Sequence, residues 1–151
     1  AREIFSPAEL HGRYEMLLEN YSKTVNMEAL TMVDMARKEI LPAVEGYTKS
    51  LAETLAAKKA AVAGLPCKYE TATITKLSEL SDEIADATAD LDSEIAKFQA
   101  IEDVTEAAND IRDVILGKMD ALRAVCDEAE TITAKEFWPF PTYSDLLFSV
   151  K

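Results

Sequence analysis

Few side chains in this sequence are suited to chemistry, and their spacing decides what that chemistry can be. There is one histidine, His11, and there are two cysteines, Cys67 and Cys126. A two-metal carboxylate site in a helical bundle needs inward carboxylates and typically a Glu-x-x-His pair on each of two helices. His11 has Ala8 three residues before it, so that pattern is missing. Glu79, Glu83, Asp86 and Asp90 recur at helical spacing, but off the Leu77/Ile84/Leu91 apolar line, which makes them a solvated acidic face. Gly117-Lys118 has the ending of a phosphate loop without the earlier glycine or the leading strand. No Ser or Cys has a base to activate it other than His11. Cys67 and Cys126 stand far apart and outside any CxxC pattern, and read as two buried reduced thiols. Met27, Met32 and Met35 read as core filling, and Lys58-Lys59 as a solvated pair. No catalytic, cofactor-binding or metal-ligating residue is therefore expected in this segment.

The residues that stand out do so by shape. In Phe137-Trp138-Pro139-Phe140-Pro141-Thr142-Tyr143 two prolines, two positions apart, force extended backbone. Ser144 to Phe148 then has the pattern of one short helical turn. A free tail this rich in large apolar groups would be sticky, so it is expected to dock. Trp138, Phe140, Tyr143, Leu147 and Phe148 are the candidate docking residues. Aromatic anchors of this kind serve equally for packing on the chain's own bundle or on a partner.

The elements that must carry this tail are helical. Only four Gly and five Pro occur in 151 residues, and the hydrophobic fraction of 48% suffices for a core. Ser6-Pro7-Ala8-Glu9 predicts a capped start, with Leu10, Tyr14, Leu17, Leu18 and Tyr21 on one face of a first helix. That helix is expected to weaken near Thr24-Val25, with Asn26 capping a second helix over about 27–63. Leu30, Val33, Ile40, Val44, Tyr47, Leu51, Leu55 and Val62 give the second helix its buried stripe. Pro42 should kink it, and Gly64 with Pro66 should end it. A third helix over about 69–100 carries Leu77, Ile84, Leu91 and Phe98 at heptad spacing, flanked by Ile74 and Ile95. Asp103 caps a fourth, with Ile111, Ile115, Met119, Leu122, Val125 and Ile132 as its seam. The expectation is one all-α domain over 1–151: an antiparallel bundle of about four helices across 6–136 and a docked tail over 137–151.

Charge narrows the partners. The net charge is −12, and residues 78–130 hold sixteen acids against four bases, which accounts for all of it. Such a surface repels phosphate backbones and anionic lipid, so neither nucleic acid nor a membrane is an expected partner. With no apolar run of membrane-spanning length and no leader pattern, a cytoplasmic location is expected. The outer faces of the third and fourth helices should meet water, and the near-neutral first two should lie nearer any larger assembly.

Three stretches carry a resemblance. The tail Trp138-Pro-Phe-Pro-Thr-Tyr-Ser-Asp-Leu-Leu-Phe148 resembles the extreme C-terminus of type III glutamine synthetases, the large bacterial form. MEALTMVDMARKEILPAVEGY, residues 27–47, is similar to that family's post-catalytic helix with its internal proline. SPAELHGRYEMLLENY, residues 6–21, is similar to what precedes it there, with Gly12 where the family has Ser. The resemblance implies a C-terminal helical accessory domain of a ring-forming homo-oligomer, following a catalytic domain and packing on it and on neighbouring subunits. It implies a parent enzyme that joins glutamate and ammonia using ATP and a divalent metal, whose ligands precede this segment, none mapping onto 1–151. The alternative is a free-standing acidic helical bundle acting as an adaptor for partner proteins.

Overall fold

The computed structural model describes residues 5–141 and 143–148, without the side chains of 143 and 144. Helix α1 spans Pro7–Met35 and starts as its sequence dictates. The Ser6 hydroxyl accepts from the Glu9 amide, and the Glu9 carboxylate accepts from the Ser6 amide, completing a capping box. The hydrogen bond from the Ser6 amide holds the Glu9 carboxyl below its ordinary pKa.

No boundary interrupts this helix at Asn26, contrary to the sequence expectation. Propensity at Thr24-Val25 is only a weak prior, and packing overrides it. Ser22, Val25, Ala29, Val33, Ala36, Ile40 and Val44 form one buried line at spacings of three and four that runs straight through. Leu30, one residue off that line, is consequently exposed, as is Val62 beyond the end of the second helix.

The break falls at a π-turn over Ala36–Ile40, where the Leu41 amide donates to the Ala36 carbonyl five residues back. Helix α2, Leu41–Ala61, follows with Pro42 in its first turn. A proline ring crowds the carbonyl four residues before it and offers no N–H, and a widened turn relieves that conflict. Val62 leaves the helix in extended conformation, and Gly64 turns at φ +82°, which only glycine adopts freely.

Helix α3, Lys68–Phe98, packs along α2 and then α1, and the later helix Leu116–Ile132 also packs on it. Leu77, Leu80, Ile84, Leu91 and Ile95 are buried. Leu80 was missing from the heptad expectation and fills the second seam position. The buried Thr88 hydroxyl donates to the Ile84 carbonyl at 2.6 Å, so it joins the core without an orphan donor.

Asp103 caps α4, Val104–Asp110, accepting from the Glu106 amide at 2.8 Å. A second π-turn, Ile111–Ile115, leads into α5, Leu116–Ile132. Beyond that turn the buried positions are Leu122, Cys126 and Ala129, so the seam passes through Cys126 while Val125 is only half-buried. Four long helices, α1, α2, α3 and α5, thus form an all-α bundle whose core joins them in one apolar cluster. The acidic Glu79, Asp86, Asp90 and Asp113 are exposed on it. Arg37 to Asp92 at 2.7 Å, Lys76 to Glu128 at 2.7 Å and Lys118 to Asp90 at 2.9 Å tie neighbouring helices across the surface.

Candidate functional site

The chemistry-bearing side chains do not converge. His11 lies on the exposed start of α1 with its Nε2 3.2 Å from Glu15 Oε1. Gly117-Lys118 sits in the first turn of α5, and Lys118 faces Asp90 on α3. Cys67 and Cys126 are buried free thiols. Among the described residues no three His, Cys, Asp or Glu side chains are grouped so as to hold a metal ion. Burial pushes the Cys126 thiol up to about 11, which keeps it protonated and unreactive near neutrality.

Lys58 departs from its solvated reading. Its ammonium donates to the carboxylate of Glu70, which is 5% exposed in the first turn of α3. That hydrogen bond lowers the Glu70 pKa and raises that of Lys58. The pair clamps the α2–α3 connection. Only the turn at Gly64 brings these two residues together, so periodicity within either helix held no signal of it.

The tail returns to its own bundle. Phe137 stands 5.4 Å, ring to ring, from Tyr47 of α2 and over Gly46, where a β-carbon would meet the Phe137 ring at 3.5 Å. The Tyr47 phenol is pushed up to about 12, first by its hydrogen bond with the Tyr69 hydroxyl and then by burial. Trp138 and Phe140 pack edge to face at 6.1 Å, and both rest half-buried on the core cluster. Helix α6, Tyr143–Leu147, follows, tied by Lys135 to Asp145 at 2.7 Å. Leu147 is 72% and Phe148 80% exposed. The candidate residues therefore fall into two groups: Trp138 and Phe140 lie on the bundle, and Leu147 and Phe148 face solvent. The Tyr143 side chain lies outside the described residues. Between tail and bundle remains a cleft of about 630 Å³ walled by α1, the first π-turn, α5 and the tail.

A second apolar surface was not singled out from the sequence as an uncovered one. Every residue from 7 to 17 is exposed, so the bundle does not bury the first three turns of α1. Leu10, Tyr14, Leu17 and Tyr21 are 54%, 52%, 69% and 41% exposed on one ridge. Their spacing of four, three and four is the pattern of a buried helix face, and only the tertiary structure shows that this bundle does not bury it.

Residues 1–59 match the glutamine synthetase C-terminal domain family. Over 148 residues the chain is 34% identical to a glutamine synthetase of Butyrivibrio fibrisolvens, covering 98% of this chain and 21% of that protein. It is 25% identical over 149 residues to a type-3 glutamine synthetase of Dictyostelium discoideum, covering 96% and 20%. A glutamine synthetase of Bacteroides fragilis is 26% identical over 151 residues, with 97% and 21% covered. The chain thus spans about a fifth of the length of these relatives. The family match covers α1 and most of α2, the relatives extend the likeness over nearly all of the chain, and the chain thus matches the C-terminal domain of glutamine synthetases.

Proposed function

We propose that this chain is the helical accessory domain of a type III glutamine synthetase, placed after the catalytic part and serving to pack it within a homo-oligomer. The parent enzyme forms glutamine from glutamate and ammonia with ATP and a divalent metal. Among the described residues no three His, Cys, Asp or Glu side chains are grouped so as to hold that metal, and the proposal places the reaction in the rest of the enzyme. A cytoplasmic location accords with two buried free thiols. It also accords with a chain in which no described helix is long and apolar enough to cross a membrane.

The observation that carries this reading is the free ridge of α1. An apolar helical face left exposed by the bundle indicates an interface, and α1 belongs to the near-neutral part of the chain. The acidic faces of α3 and α5 are left to water. Leu17→Glu tests this in two settings. In the 151-residue chain, where Leu17 is 69% exposed, stability should stay within the ~0.5 kcal/mol typical of surface changes. In the parent enzyme the same change should lower the oligomer size and glutamine formation together. An assembled, fully active Leu17→Glu enzyme would refute the assembly role of this ridge.

A further inference from the structure

The cleft under the tail has the features of a ligand site, and they are independent of any role in assembly. Its volume of about 630 Å³ lies within the roughly 300–1,000 Å³ typical of small-molecule pockets. Met32, Met35, Leu122 and Cys126 form its floor, and the edge-to-face pair of Trp138 and Phe140 forms one wall. Three charged side chains also line it: Arg123, Asp127 and Glu130. Arg123 Nε is engaged by Asp127 Oδ2 at 3.5 Å. Glu130 has no cation partner among the described residues, so the lining carries a net negative charge. It also lies on the stretch 78–130 that holds sixteen acids and four bases. Apolar, aromatic walls beside an uncompensated carboxylate select a ligand with an apolar body and a positive head, and a negative field concentrates such a ligand at the mouth.

We propose that this cleft binds a small organic cation with an apolar body, such as an aryl- or alkylammonium, its body between Trp138 and the Met32/Met35 floor and its charge at Glu130 and Asp127. Trp138 is the only tryptophan in the chain, so its fluorescence reports on the cleft directly. The test titrates the 151-residue chain with benzyltrimethylammonium and, as a matched anion, benzenesulfonate. A saturable change in Trp138 emission is expected with the cation, with half-saturation about tenfold below that of the anion at low salt and a smaller gap at high salt. Bound to the folded state alone, the cation must also raise the melting temperature. Both Asp127 and Glu130 are exposed, so Asp127→Asn/Glu130→Gln should fold normally and remove most of the preference for the cation. Equal responses to the two probes would overturn the proposal, as would no saturable emission change and no rise in melting temperature at cation concentrations up to about 10 mM.

Discussion

Two aromatic residues of the same tail should respond differently to truncation. Trp138 rests half-buried on the core with its ring 6.1 Å from that of Phe140, whereas Phe148 is 80% exposed. An aromatic side chain has about 150–250 Å² to bury, and half of that at ~25 cal/mol per Å² gives roughly 2–3 kcal/mol for Trp138. Loss of the edge-to-face pair adds about 0.5–1.5 kcal/mol. In a domain of this size each kcal/mol moves the melting temperature by about 2–4 °C, so Trp138→Ala should lower it by roughly 5–18 °C. Phe148→Ala should change stability by no more than ~0.5 kcal/mol. Thermal unfolding of the chain followed by circular dichroism reads both. Truncation after Lys135 should cost at least as much as Trp138→Ala, because Phe137 and Phe140 leave with it. If the truncated chain melts where the intact one does, the tail contributes nothing to the bundle and the reasoning from burial fails.

Gly46 sits inside α2, and its absent β-carbon would make ordinary contact with the Phe137 ring at 3.5 Å. Gly46→Ala should accordingly stabilise the chain by about 0.5–1 kcal/mol through helix propensity, and a lower melting temperature would show that Phe137 cannot accommodate a methyl group. The Lys58–Glu70 pair predicts a pH dependence. Glu70 has a lowered folded pKa, so its stabilisation is present above the ordinary value of 4.5 and is lost as pH falls through the folded value. The melting temperature of Glu70→Gln should thus fall less than that of the parent chain on acidification from about pH 5 to about pH 3, around the usual glutamate range. Parallel curves would dissociate the pair from stability. Lys58 has a raised pKa, so its share is intact below the ordinary 10.5 and disappears as pH rises through the folded value. Finally, Cys126, buried and with its pKa at about 11, should alkylate slowly at about pH 8 in the folded chain and rapidly in urea. Equal rates would place its thiol at the surface.

Much of the architecture was legible in advance because it rests on local rules. A capping box needs only Ser6, Glu9 and the turn between them, and both Asp103 as a cap and Gly64 as a stop follow from backbone requirements within a few residues. The heptad of Leu77, Ile84 and Leu91 is a property of one helix, and all three are buried.

What sequence reading misplaced depends on partners distant along the chain. The boundary expected at Asn26 vanishes because the line from Ser22 to Val44 keeps its phase against α3 and α4, and packing of that length outweighs the weak propensity of Thr24 and Val25. The seam of α5 reaches Cys126 after the π-turn at Ile111–Ile115, and the pattern of a single regular helix does not reveal such a turn. Lys58 finds Glu70 only across a loop.

Composition determined that the chain is helical, that its negative charge gathers in one stretch, and that its tail is apolar. Those are sums and periods over neighbouring residues, and they need no knowledge of where other segments lie. Which apolar face stays uncovered is a different kind of fact. The ridge of Leu10, Tyr14, Leu17 and Tyr21 has the same period as the buried line from Ser22 to Val44, and Trp138 is as apolar a candidate as Phe148. Periodicity says that a face is fit to be buried, while burial itself requires a second surface at the same height in the bundle. Leu10 to Leu17 at the start of α1, and Leu147 and Phe148 in the tail, stay exposed, and only the tertiary structure decided that.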